Sequence, residues 1–469
     1  MELVVGVDSS TTACKVQVRD LETGAVQTSG RAPHRATTPP KSEQDPRDWE
    51  EAFQKALAQA RPAIDPVAVA FAAQQHGLVV AGPDTDPLRP AKLWNDTESA
   101  PDADELLAAL PGGAQAWATA CGSVPLASFT ISKLRWLQRC EPGVLQRAAA
   151  VLLPHDWLSM RLTGRHTTDR GDASGTGYWS PREGRYRPDL LELVATDVEW
   201  EVLLPQVLEP DGIAGEWPGS GALVAPGTGD NMAAALGLGV RPGDLVLSLG
   251  TSGTAYTVSD APSEDPTGTV AGFADATGRF LPLVCTLNAT KVTDAVARLL
   301  GVDHERFDQL ALEAPPGASG LVLVPHLDGE RTPNRPSATG TLRGLRSDVT
   351  PALLARAAVE GVVCNLLEGA EALGTQHGRV FLVGGAALSP AYRRVVADLM
   401  GCPVVVPSEP ELVAAGAAVQ AAVVRLGTDF VALSEAWGLG RGVVVEPDQR
   451  VDHAGIRAAY RAAAEARRT

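Results

Sequence analysis

The sequence predicts an α/β protein of two domains, and three observations carry that expectation. The chain has 469 residues, beyond the size at which one hydrophobic core usually stops growing. Short apolar strands alternate along it with apolar stripes of helical spacing. A hairpin-like sequence near the start, GVDSSTTACKV at 6–16, returns midway as SLGTSGTAYTV at 248–258, so each half opens on the same supersecondary unit.

The elements follow in chain order. MELVVGVD enters a strand at once, and the Ser/Thr-rich turn after Asp8 leads into a second strand. Asp45-Pro46 starts a helix, the acid as its cap and the proline in its first turn, with Trp49, Phe53 and Leu57 on one stripe. Val67 to Ala73 reads as a buried strand that ends in Gln74-Gln75-His76-Gly77. The stretch GTGDNMAAALG at 227–237 passes from a glycine-lined loop into a helix of small apolar residues. The turn Val240-Arg241-Pro242-Gly243-Asp244 sets the expected boundary, with domains over 1–240 and 241–469 and a ligand cleft between them. Residues 379–383 form a strand that runs into Gly384-Gly385-Ala386-Ala387, and a helix near Pro390 carries Tyr392, Val395, Val396 and Leu399. The tail from Asp452, with Ile456 and Tyr460 on one stripe, closes the chain as a helix.

Chemistry gathers at the turns. A Ser/Thr/Gly turn aims several backbone N–H groups and hydroxyls at one point, which is a cradle for phosphate oxygens. The two hairpins differ there, because Asp8 of the first aligns with Gly250 of the second. An acid beside a phosphate suits a bridging Mg²⁺, since without a metal the like charges repel. Gly250-Thr251-Ser252-Gly253 therefore suits the phosphates of a nucleotide, and Asp8 suits the metal. The strand–glycine pair–helix layout at 379–390 lets a nucleotide approach backbone at a helix N-terminus, although it is neither a Walker A loop nor a G-x-G-x-x-G fingerprint. Asp230, at the start of a helix beside the expected cleft, has two readings: a helix cap, or a catalytic base. His76 likewise reads as a structural histidine or as a ligand contact at the end of a buried strand.

Bulk properties exclude several classes. A formal net charge of −16 argues against nucleic acid or an anionic membrane as the main partner. The six cysteines are scattered without a C-x-x-C pair, which reads as reduced thiols in a cytoplasmic protein, and no close histidine spacing suggests zinc. MELVVGVD lacks the charged start and apolar core expected of a signal peptide, and no apolar run has the length of a membrane span. Oligomeric state is left open, a homodimer included.

With these residues in view, the chain resembles the FGGY family of carbohydrate kinases, and within it the branch that acts on D-xylulose. The resemblance rests on SEQDPRDW (42–49), QQHG (74–77), LWND (93–96), SKLRWLQRCEP (132–142), LLPHDWLSMRLTG (152–164), DASGT (172–176) and GTGDN (227–231). It continues through LSLGTSG (247–253), GERTP (329–333) and VGGAALSPAYRRVVADL (383–399), an ordered set that spans most of the chain. What it implies is two actin-like, ribonuclease-H-like domains with an interdomain cleft that close over sugar and ATP. Asp230 matches the family's catalytic base and Asp8 its Mg²⁺-associated acid. Gln75, His76 and Asn231 match sugar contacts, Gly250, Thr251 and Ser252 the loop that holds ATP phosphates, and Gly384, Gly385 and Ser389 the adenosine side.

The expected reaction is transfer of the ATP γ-phosphoryl group to the terminal hydroxyl of D-xylulose, with the helix dipole keeping Asp230 ionised near neutral pH. Ser10 and Ala13 stand where relatives have glycine, which costs backbone freedom if the turn needs a positive φ, and Ala386, likewise in place of a glycine, is expected to crowd an adenosine approaching the backbone. Lys15 is expected to pair locally rather than touch phosphate, and the Glu330–Arg331 pair of GERTP reads as a domain-interface ion pair or a ligand contact, the interface favoured. The stereochemistry of one hydroxyl is not written in a linear sequence. Kinases for ribulose, gluconate, glycerol or a deoxy-ketose therefore stay open, as does a non-catalytic ATP-binding module of the actin/Hsp70 type.

Overall fold

The computed structural model describes residues 2–374 and 378–466. They divide into two units. One comprises residues 1–240, 259–281 and 409–439, the other residues 241–258, 282–408 and 440–469. The break after Val240 falls at the Pro-Gly turn, but the expectation of two contiguous halves differs from this division: two later segments fold with the first unit.

The sheet of the first unit runs Gly215–Trp217, Ala222–Val224, Ala68–Ala73, Leu3–Ser9, Ala13–Asp20, Val26–Pro33, with Thr228–Gly229 also paired to Ala68–Ala73. Leu3–Ser9 is antiparallel to Ala13–Asp20 and parallel to Ala68–Ala73, and both parallel strands are buried at every residue. Such strands must be apolar on both faces, as LVVGV and AVAFAA are. On one face the helix Pro46–Ala60 buries Trp49, Phe53 and Ala56, capped by Asp45 as expected.

The second unit repeats this plan. Its sheet contains, in order, Phe280–Thr286, Gly253–Tyr256, Leu245–Leu249, Val380–Val383, Val404–Pro407 and Gly442–Val445. Leu245–Leu249 is antiparallel to Gly253–Tyr256 and parallel to Val380–Val383, which is parallel in turn to Val404–Pro407. In each unit, then, an antiparallel hairpin meets a parallel partner on its far side. The recurring hairpin sequence marks the same element twice. The helices Pro351–Ala370 and Pro390–Met400 supply the core here, with Val359, Val362, Val363, Val395 and Val396 all buried. The closing helix, His453–Glu465, is capped by Asp452 and buries Tyr460.

The segment that returns to the first unit carries the helix Leu412–Leu426, and small residues explain how it fits. A Cβ on Gly6 would lie 1.9 Å from the carbonyl oxygen of Ala414, and one on Gly416 would lie 1.8 Å from that of Ala233. Backbone here packs on backbone, at a separation that only glycine permits. Among the described residues no single helix is long and apolar enough to cross a membrane. All six cysteines are free thiols.

Candidate active site

Three neighbouring parallel strands of the first unit end at one place. Asp8 lies near the end of Leu3–Ser9, and Gln74-Gln75-His76 follow Ala68–Ala73 directly. Asp230 and Asn231 follow Thr228–Gly229, whose Gly229 pairs with Ala73. The carboxyl ends of parallel strands are where open α/β sheets place ligands.

Asp230 is the first residue of the helix Asp230–Leu238, while the cap position falls to Gly229, which offers no side chain. The half-buried carboxylate accepts from Asn231 N at 2.8 Å and from Asn231 Nδ2 at 3.0 Å. Asn231 Nδ2 also donates to Gln75 Oε1 at 2.9 Å, which joins the strand ends carrying Gln75 and Asp230. The buried Gln75 Nε2 has no partner among the described residues, so one donor remains for a ligand oxygen. Burial, helped by the nearby charges of Asp8 and Asp172, lifts the Asp230 carboxyl to about 7, against the pull of the helix amides. The expectation that the helix dipole keeps Asp230 fully ionised at neutral pH is corrected by this: desolvation outweighs the amides.

Asp8 is also buried. Its Oδ2 lies 3.5 Å from Lys15 Nζ, a local contact across the hairpin, but the shorter ion pair of Lys15 is to Glu411 Oε2 at 2.6 Å on the returning segment, so the expected local pairing holds only in part. Asp8 Oδ1 has no partner among the described residues, and burial lifts this carboxyl to about 6 despite Lys15. An orphaned carboxylate oxygen fits a hard divalent cation. Another acidic group, Glu43, Asp96 and Glu98, surrounds the buried Lys92 Nζ at 2.6–3.2 Å, and that ammonium meets its charge. Neither Ser10 nor Ala13 has a positive φ, so the first turn tolerates both without strain.

His76 takes a left-handed backbone, φ +65°. A non-glycine residue held there marks stored strain, common where a side chain must be aimed. Its ring Nδ1 lies 2.6 Å from Gly175 O, and the ring stacks on Phe129 at 4.8 Å, with Phe273 at 5.5 Å. Phe129 and Phe273 escaped the sequence reading because they come from distant parts of the chain and carry no polar signal.

The candidate nucleotide residues lie in the second unit. Gly250, Thr251 and Ser252 form the turn between Leu249 and Gly253, and the carbonyls of Gly250 and Thr251 accept from Thr290 N and Ala289 N at the start of the helix Thr290–Leu300. Gly384 follows Val383, which pairs with Ser248, so these two loops also leave adjacent parallel strands. At Gly384, φ is +85° and a Cβ would lie 2.6 Å from Leu249 O. Only glycine fits there. Gly385 is exposed, whereas Ala386 points its methyl into the core and so does not crowd that approach. Ser389 caps the helix Pro390–Met400, accepting from Tyr392 N at 3.1 Å and donating to Asp308 Oδ1 at 2.6 Å. The expected domain bridge at Glu330 is corrected. The side chain is 1% exposed and accepts from Leu287 N, Asn288 Nδ2, Asn365 Nδ2 and Arg331 N, all within its own unit.

Residues 3–237 match the N-terminal domain of the FGGY family of carbohydrate kinases, and residues 245–424 match that family's C-terminal domain. The chain is 48% identical over 460 residues to the xylulose kinase of Streptomyces coelicolor, an alignment that covers 96% of this chain and 93% of that protein. Among solved structures it is similar to the xylulose kinase of Bifidobacterium adolescentis, with a TM-score of 0.88, 41% identity and 99% of each chain covered. Plasmodium falciparum glycerol kinase with ADP has the same fold at a TM-score of 0.88 and 17% identity, over 99% of this chain and 98% of that one.

Proposed function

Because the chain belongs to the FGGY family of carbohydrate kinases, we propose that it transfers the γ-phosphoryl group of ATP to the terminal hydroxyl of D-xylulose, giving D-xylulose 5-phosphate. One observation carries the assignment of roles: the family's two acids and its sugar-side residues leave three adjacent parallel strands of one unit. In this reading Asp230 is the general base. It accepts the hydroxyl proton as the oxygen attacks phosphorus, which an alcohol needs because it holds that proton tightly. Asn231 holds the carboxylate in place through its backbone and side-chain N–H groups, and bridges it to Gln75. Gln75 Nε2 and the His76 ring are the donors and shape elements for the sugar, with Phe129 fixing the ring's plane.

ATP is assigned to the second unit. There Gly250, Thr251 and Ser252 would hold its phosphates and the exposed Gly384-Gly385 backbone would meet the adenosine. The hydroxyl of Ser389, engaged with Asp308 and the helix cap, would shape that loop. Asp8 Oδ1 is the group that would hold Mg²⁺, which supplies charge neutralisation on the transferring phosphate. The cytoplasm, where ATP is supplied, is the expected compartment.

The test is ADP release over a panel of D-xylulose, D-ribulose, D-gluconate and glycerol at fixed ATP and Mg²⁺. D-Xylulose should give a kcat/KM at least tenfold above every other acceptor. Equal or faster turnover of another acceptor would reassign the substrate, and no sugar-stimulated release would leave only an ATP-binding module.

A further inference from the structure

A buried ion cluster in the first unit has no place in the chemistry above. His155, second residue of the helix Pro154–Thr163, is fully buried among Asp156, Asp169 and Asp172, each at most 1% exposed. Its Nδ1 lies 2.8 Å from Asp172 Oδ2. Its Nε2 lies 3.0 Å from Asp156 Oδ1, an ion-pair contact off the hydrogen-bond line, and 3.7 Å from Asp169 Oδ1. A neutral imidazole has one N–H, so its other nitrogen would set a lone pair against carboxylate oxygens. An imidazolium sets an N–H on each side.

Each arm of this cluster reaches a residue of the candidate site. The backbone N–H of His76 is directed at the Asp172 carboxylate, and Gly175, three residues on, meets the His76 ring at 2.6 Å. Asp169 Oδ2 accepts from the Thr228 hydroxyl at 2.7 Å, two residues before Asp230. The imidazole itself backs the same loop, since a Cβ on Gly227 would lie 2.4 Å from His155 Cδ2. On the other side Gln420 binds both backbone groups of Gly227, at 2.9 and 3.1 Å.

We infer that His155 is a positioning residue, an imidazolium clamped between Asp156 and Asp172 that holds the Asp230 loop and the His76 loop in one register for the sugar. Burial alone would discharge the ring, but Asp156, Asp172 and Asp169 outweigh it and raise its pKa to about 9. That charge partly offsets the burial of the three acids, which still lifts Asp156 to about 7 and Asp169 to about 6. Without it, Asp172 loses its hydrogen-bonded partner and Asp169, held by Gly171 N, Asp172 N and Thr228, loses the charge beside it, so both loops lose their common anchor.

The inference rests on the assignment of the sugar to this site, so its test has one arm that needs no substrate. The whole protein is labelled with ¹⁵N-histidine, and His155 is identified among the eight histidines by its loss in His155→Gln. Both of its ring nitrogens should be protonated at pH 8. A ring with one bare nitrogen at that pH would overturn the inference. In kinetics, His155→Gln should lower kcat at least tenfold and raise the KM for D-xylulose at least tenfold, with the KM for ATP within twofold of wild type. A purely structural role would lower the amount of folded enzyme and leave both Michaelis constants unchanged, and that result would contradict positioning. Turnover of D-xylulose by the wild type checks the underlying assignment separately.

Discussion

As the proposed base, Asp230 must be ionised to accept a proton, yet burial and two neighbouring acids hold its pKa at about 7. The sign follows directly. A base works deprotonated, so activity should rise as pH climbs through about 7 and fall below it, with Asp8, at about 6, deepening the loss at lower pH. The expected profile of kcat/KM for D-xylulose has an acid limb centred between about pH 6 and 7. A flat profile from pH 5 to 8 would remove an acid of raised pKa from the free enzyme's rate-determining step. At this scale the sequence was informative where a polar residue interrupts an apolar strand end, as at Asp8, His76 and Asp230. It was silent on Phe129, Phe273 and Gln420, because nothing local tells a phenylalanine that will stack on His76 from one that fills a core. LLPHDWLSMRLTG at 152–164 and DASGT at 172–176 stood out as motifs, but the ion cluster that His155, Asp156 and Asp172 build with Asp169 exists only once the chain has folded.

Elements place these residues, and the hairpins were readable because turn chemistry and strand alternation are local. The first strand continues through Asp8, paired with Lys15, whereas Gly250 at the aligned position has already left its strand for the turn. That difference lets one copy display an acid and the other bare backbone. The helix Leu412–Leu426 was not readable in the same way. Its run of Ala, Gly and Val announces a buried helix but not that it belongs with the first strand rather than with its sequence neighbours. Close approach through Gly6, Gly237 and Gly416 decides that. Gly416→Val should therefore force the helix off Ala233, at a cost of about 3 kcal/mol. Thermal unfolding should show a melting temperature lower by several degrees, and a shift of less than about one degree would contradict the packing described.

At the scale of the whole molecule, two units built on one plan carry different candidate groups: Asp8, Asp230 and the proposed sugar contacts on one, and the glycine-lined loop proposed for the nucleotide on the other. The repeat was visible in the sequence, and the proposed division of labour was argued from Asp8 aligning with Gly250. The return of 409–439 to the first unit was not visible, because contacts between distant segments leave no periodic trace. The account as a whole depends on proton acceptance by one carboxylate. It is tested most directly by Asp230→Asn, which keeps shape and changes charge, with kcat measured at saturating ATP and D-xylulose and sugar affinity measured by calorimetry. The account predicts a fall in kcat of about 10²–10⁴-fold with sugar affinity within about threefold of wild type. A variant that turns over within tenfold of wild type would contradict it.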